Sequence, residues 1–221
     1  MSDLESAGPK ISIQAGFAIG YKSALATAAD EVELAEGTHY LLARNGRGKT
    51  TLLRSLAGVL QLRGGDFTIV GQNQFLSEDI CFDRELPAKL IFRCLLPKQV
   101  LGEVMDLADK LELDTKLPYG KLSTGNQRKV ALIMAEYAVD PDQGNILLLD
   151  EPFTGMDVYA REIFQDLWKS RKNGILRVLS CHPDQDSMVM ESALIISDGK
   201  LYHLAGAEKA AEWRELKKEL H

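Results

Sequence analysis

The stretch LLARNGRGKTTLLRSLAG, residues 41–58, restricts the possible folds more than any other part of the chain. The apolar run THYLLA (38–43) leads into a loop with two glycines. The segment GKTTLLRSLAG (48–58) then spaces its apolar residues at helical intervals up to a stop at Gly58. A buried strand, a tight turn and a helix are therefore expected in that order. Gly46 and Gly48 permit a backbone that curls sharply. The N–H groups of Asn45, Gly46, Arg47, Gly48, Lys49 and Thr50 would then surround an anion, with the positive end of the helix behind it. Lys49 would reach the β- and γ-phosphates of a nucleotide, and the Thr50 hydroxyl would hold a magnesium ion, with Thr51 completing the candidate set. The pattern G-x-x-x-x-G-K-[ST] is met except at its first position, where Ala43 stands for glycine. That exchange matters only if the backbone at residue 43 needs a positive φ.

A second feature is NILLLDEP (145–152), a continuous apolar run that stops at two carboxylates. Apolarity on both faces suits a buried strand of a parallel sheet. An acid at the carboxyl end of such a strand lies at the sheet edge where ligands bind. Asp150 is placed to contact a metal ion and Glu151 to polarise an attacking water, a division of labour that phosphoryl transfer requires. A third feature, KLSTGNQRKVALIMA (121–135), is a serine-glycine turn that opens a helix.

Between these features the chain alternates. ISIQAGFAIGY (11–21) and EVELAEG (31–37) read as antiparallel strands, and DFTIVG (66–71) as a short strand. Residues 84–112 turn helical, and QRKVALIMAEYAV (127–139) reads as an amphipathic helix. YAREIFQDLWKSRKNG (159–174) is a helix, ILRVLSCH (175–182) a buried strand, and ALIISDGKLYHL (193–204) a hairpin turning at Asp198–Gly199. The tail AEKAAEWRELKKEL (207–220) reads as a further helix. This order predicts one α/β domain over 1–221. About 1–77 and 143–221 would form the core with its antiparallel β subdomain, and about 78–142 a helical lobe.

Composition narrows the function classes. The net charge of −6 argues against a chain that lives on a nucleic-acid backbone. The three cysteines lack C-x-x-C spacing and read as free thiols of a reducing compartment. No apolar run approaches the roughly 20 residues of a membrane span, and MSDLESAGPK lacks the hydrophobic core of a signal peptide. His39, His203 and His221 read as structural or surface histidines.

Taken in order, the three motifs resemble the ATP-binding cassette ATPases, from Tyr21 to about Tyr202. The resemblance implies a P-loop NTPase-type, mainly parallel sheet flanked by helices: a RecA-like core, an N-terminal antiparallel β subdomain and an inserted helical subdomain. It implies that residues 43–51 are Walker A, 146–150 Walker B with Glu151 as the catalytic carboxylate, and Leu122-Ser123-Thr124-Gly125-Asn126 the signature. Asp157 would belong to the D-loop, His182 would be the switch histidine, and Tyr21 would stack on adenine. Catalysis would then rest on Glu151, His182 and Lys49, and Ser123 and Gly125 would read the nucleotide held by a second subunit. Further implied are ATP and Mg²⁺, a second ATPase subunit (the same or a relative), and a separate membrane-spanning permease that keeps the chain on the cytoplasmic face of the membrane. No nucleic-acid partner is expected. The alternatives are a soluble cassette ATPase working on ribosomes or DNA, and a degenerate nucleotide-sensing half of a heterodimer.

Besides Ala43, the chain departs from the family at Thr124 and Asn126, where glycine and glutamine are common. The glutamine of the Q-loop is not evident. Matching DICFDREL (79–86) to the usual strand-then-glutamine segment puts Glu85 in that metal-contacting place, with Asp83 second, since Gln72 and Gln74 lie closer to Walker A than the family spacing favours.

Overall fold

The computed structural model describes residues 8–139, 143–180, 189–205, 211–212 and 220. The chain divides into two compact units. The first takes in the described residues of 1–75, 141–151 and 172–221, and the second those of 76–140 and 152–171.

The first unit is built on strands. In chain order these are β1 (Lys10–Ile13), β2 (Ala18–Gly20), β3 (Ala24–Ala28), β4 (Val32–Leu34) and β5 (Gly37–Ala43). Helix α1 (Lys49–Leu56) precedes β6 (Phe67–Val70) and β7 (Gln72–Leu76). After the second unit's first segment come β8 (Asn145–Leu149), β9 (Ile175–Ser180), β10 (Val189–Met190), β11 (Ser192–Ser197), β12 (Lys200–Ala205) and β13 (Ala211–Glu212). Eight of them form one sheet in the order β2-β3-β12-β11-β5-β9-β8-β7. Its centre is parallel: β11 with β5, β5 with β9, and β9 with β8. Strands β4, β1 and β6 make a separate antiparallel sheet.

The central strands are apolar on both faces because both faces are covered. Ile146, Leu147, Leu148 and Leu149 of β8 are 0% exposed. Ile11, Ile13, Val32 and Leu34 of the small sheet share one core with Leu52, Leu53 and Leu56 of α1 and with Leu41, Leu148, Val178 and Leu194. Register fixes where the ends of the strands lie. Leu149 pairs with Leu179, and Ser180 pairs with Leu41. The carboxyl ends of β5, β8 and β9 therefore open on one edge, at Ala43, Asp150 and Ser180.

Four helices make up most of the second unit: α2 (Ala88–Leu95), α3 (Leu101–Lys110), α4 (Thr124–Tyr137) and α5 (Val158–Ser170). Helix α5 buries Ala160, Phe164 and Trp168, a stripe at four-residue spacing. Helix α4 is not amphipathic as its sequence suggests, since every residue from Arg128 to Tyr137 is buried. Helices α2 and α3 pack on it, and the Trp168 Nε1–H donates to the Glu136 carboxylate at 2.8 Å. The Phe153 ring stacks on Trp168 at 5.2 Å.

Three further differences from the sequence reading concern strands. The segment 11–21 is not one strand: Gln14 to Phe17 turn the chain from β1 in the small sheet to β2 in the large one. Strand β7, with the polar sequence QNQFL, carries no periodic signal, yet the Gln72 N–H donates to the Gly144 carbonyl and starts the strand beside β8. In the tail, Ala211 and Glu212 pair with Met190 and Val189 as a short strand; the rest of that expected helix, save Leu220, lies outside the described residues.

Candidate functional site

The loop after β5 is shaped by its glycines. Gly46 has φ +75° and Gly48 φ +106°, conformations that L side chains rarely adopt. A Cβ on Gly48 would also lie 3.3 Å from Ile19 Cδ1, so strand β2 closes on this turn. Gly48 is the N-cap of α1, and the helix points its unpaired N–H groups into the loop. Lys49 is 6% exposed and folds back over the turn. Its Nζ donates to the Ala43 carbonyl and to Asn45 Oδ1, both at 3.3 Å. Asn45, Gly46 and Arg47 are exposed along the loop, and Thr51 is buried in α1. Ala43 has no positive φ and is 0% exposed in the core. Its methyl group packs where the usual glycine would leave a gap, so the departure from the motif asks nothing unusual of the backbone.

Thr50 Oγ1 donates to Asp150 Oδ1 at 3.2 Å. A hydroxyl and a carboxylate thus converge at the edge opened by β5 and β8. Oxygen donors of this kind suit a hard divalent cation, so the residues present fit magnesium. Asp150 is 2% exposed. Glu151 follows in a left-handed conformation, φ +45°, which costs a residue of this type about 1–3 kcal/mol. The turn is fixed by a residue that sequence reasoning passed over. Ser180 Oγ accepts the Glu151 N–H at 2.7 Å and donates to Asp150 Oδ1 at 2.9 Å. No local pattern marks Ser180, because it meets these partners only through the β8–β9 register.

Tyr21 follows β2, two residues after Ile19, and is 54% exposed. The chain thus carries an exposed aromatic ring next to the strand that borders the loop.

The remaining candidates among the described residues lie in the second unit. Ser123 is the N-cap of α4, its Oγ accepting the Asn126 N–H at 3.3 Å. Gly125 is buried against the backbone of Gly155. Asp157 caps α5 by accepting the Ala160 N–H at 2.8 Å. That bond and the Lys129 ammonium 3.8 Å away hold its carboxyl below the usual range. Glu85 is exposed in the turn before α2, where its N–H donates to Asp83 Oδ1 at 2.9 Å. Its place in the sequence reading depends on a strand running towards it. No strand crosses 79–86; the strand beside β8 ends at Leu76, nine residues earlier. His182 lies outside the described residues.

His39 and His203 are structural, as their sequence context suggests. Both meet the Ser192 hydroxyl, each 2.7 Å from it.

Comparison with known proteins agrees with this geometry. Residues 31–154 match the family model described as ABC transporter. An uncharacterized ABC transporter ATP-binding protein of Methanocaldococcus jannaschii is 31% identical over 193 residues, which cover 81% of this chain and 72% of the relative. The cytochrome c biogenesis ATP-binding export protein CcmA of Sphingopyxis alaskensis is 34% identical over 157 residues, 66% of this chain and 78% of that protein. Among solved structures, an ATP-binding subunit of an ABC transporter superimposes with a TM-score of 0.70 at 18% identity, covering 95% of this chain and 98% of its own. A bacterial Atm1-family ABC exporter with ATP bound gives 0.72 at 16% identity, over 98% of this chain and 41% of the exporter. At such identities the likeness speaks for the fold, a P-loop NTPase-type sheet with its flanking helices. The sequence matches, joined to a phosphate-type loop facing Asp150, carry the assignment further: the chain belongs to the ABC transporter family, as a nucleotide-binding subunit.

Proposed function

We propose that this chain binds and hydrolyses ATP and energises movement of a substrate through a separate membrane-spanning subunit. The observation that carries the reading is the convergence of Lys49, Thr50 and Asp150 on one sheet edge, beside the left-handed turn at Glu151. The loop N–H groups and Lys49 hold the phosphates, and Tyr21 stacks on the base. Thr50 and Asp150 would hold magnesium, which would supply charge neutralisation for the phosphates. Glu151 orients and polarises the attacking water. His182, two residues after β9 in the sequence, would assist Glu151.

Ser123, Gly125 and Asp157 are the residues through which a second subunit would meet the bound nucleotide. Two chains would close face to face on two ATP molecules and part after hydrolysis, moving the helices of the permease. Among the described residues no helix is long and apolar enough to cross a membrane. In this reading the chain attaches to the cytoplasmic face of the membrane through the permease.

The test combines binding, turnover and mass. Lys49→Ala is expected to abolish ATP binding, and retained micromolar binding would sink the loop assignment. Glu151→Gln is expected to bind ATP, lose turnover and shift from monomer to dimer when Mg-ATP is added. A chain that binds ATP yet keeps a monomer mass would overturn self-association and direct attention to a second, different cassette.

A further inference from the structure

We infer that Ser180 is a positioning residue for hydrolysis, setting the Asp150 carboxylate and the Glu151 backbone at the same time. This rests on the ATPase reading above and assigns a role that the motifs themselves do not contain.

A serine hydroxyl has one proton to donate and lone pairs to accept with. Here both functions are engaged. The proton goes to Asp150 Oδ1 at 2.9 Å, and a lone pair receives the Glu151 N–H at 2.7 Å. Ser180 is 2% exposed, so water is not at hand to replace either bond. The two partners are consecutive residues assigned to different tasks. One hydroxyl therefore couples the metal-binding acid to the water-polarising acid.

The geometry explains why such a residue is needed at this turn. Glu151 sits at φ +45°, and Pro152 follows it. A backbone in a sparsely populated region persists only where its surroundings hold it. The Glu151 N–H is the group that this twist turns toward β9, and Ser180 Oγ receives it. Asp150 Oδ1 also accepts from Thr50 at 3.2 Å. If the Thr50 hydroxyl turned to a bound cation, the Ser180 proton would still hold Asp150 Oδ1. An alanine at 180 would leave the fold of β9 in place, since the strand is held by its pairing with β5 and β8. It would take one hydrogen bond from the Asp150 carboxylate and one from the Glu151 backbone, loosening both.

The experiment uses Ser180→Ala and the conservative Ser180→Thr in the full chain. Two readouts are taken: ATP turnover, and fluorescent-nucleotide binding during a Mg²⁺ titration. Ser180→Ala is expected to bind nucleotide without Mg²⁺ within twofold of wild type. It should need several-fold more Mg²⁺ for the same tightening, and lose about tenfold or more in kcat with KM little changed. Ser180→Thr should restore most of both. At saturating Mg²⁺ on a Glu151→Gln background, Ser180→Ala should lower the residual rate by less than twofold, because with the Asp150 effect saturated what remains runs through Glu151. A multiplicative loss there would mean a general structural role and would overturn the inference. So would an unchanged Mg²⁺ titration together with unchanged turnover. If the wild-type chain turns over too slowly alone, the Mg²⁺ titration decides by itself. A wild-type chain that binds no nucleotide would overturn the ATPase reading and this inference together; loss at Glu151→Gln with none at Ser180→Ala would remove this inference only.

Discussion

Gly125 and Gly155 approach so closely that a methyl group on Gly125 would lie 2.3 Å from the Gly155 carbonyl oxygen. The glycine at the start of α4 is therefore required by packing within the second unit, whatever it also does for a nucleotide. Gly155 itself has φ +74°, so it cannot readily yield by taking another conformation. Gly125→Ala is expected to shift the start of α4 or the loop before α5 and to cost about 1–3 kcal/mol, the range for overpacking a filled site. Chemical denaturation of the variant measures it. A stability within 0.5 kcal/mol of wild type, roughly the scatter of surface substitutions, would show that the two backbones separate freely.

Ala43 makes the opposite prediction. Its backbone has an ordinary φ and its methyl group is buried in the core. Restoring the motif glycine by Ala43→Gly removes that packing and adds freedom to the unfolded chain, so it should destabilise by about 1–2 kcal/mol. Lys49 Nζ bonds the residue 43 carbonyl, which the exchange leaves in place. ATP affinity should therefore stay within a factor of two, checked by nucleotide titration of both proteins. A marked gain in affinity on adding the glycine would mean that the alanine does perturb the loop.

These two residues mark how far the sequence could be read. The loop 43–51 and the carboxylates Asp150 and Glu151 stand out in the sequence because each is a short-range pattern at the end of an apolar strand, and apolar strands announce themselves. Strand β7 does not, since Gln72, Asn73 and Gln74 have no hydrophobic alternation and are strand only by pairing beside β8. Helix α4 read as amphipathic because nothing local reports that its Glu136 side will be covered by Trp168 from a helix 32 residues away. Ser180 was invisible for the same reason: its partners are 29 and 30 residues distant in sequence.

Trp168→Phe tests that covered side of α4. The exchange keeps an aromatic ring beside Phe153 but removes the Nε1 donor from Glu136, which is 0% exposed. Taking one donor from a buried acid costs about 1–3 kcal/mol. Glu136→Gln, which retains an acceptor oxygen, should cost less. Urea midpoints of the two variants decide the order, and a more stable Trp168→Phe would show that the bond contributes nothing.

Stability should also fall with pH in a window set by His39. The ring is 8% exposed, and burial lowers its pKa from 6.5 to about 4. Its Nε2 faces the Ala35 carbonyl at 2.8 Å and must carry the proton of the neutral ring. Nδ1 then accepts from Ser192, and the His203 Nε2–H donates to the same hydroxyl. A second proton on His39 would meet a hydroxyl hydrogen already pointing at it, and a neighbouring histidine beyond. A lowered histidine pKa means that the unfolded chain binds the proton first. The stabilising contribution is complete above pH 6.5, declines as pH falls below 6.5, and is gone near pH 4. The shift corresponds to roughly 3 kcal/mol in all, of which about 2 kcal/mol is lost between pH 7.5 and 5. Urea unfolding of the wild type and of His39→Gln at those two pH values isolates it, because most carboxylates stay ionised at both. The wild type should lose about 2 kcal/mol more than the variant; equal losses would mean that His39 is protonated in the folded chain at little cost and that the hydroxyl between the two rings turns to accommodate it.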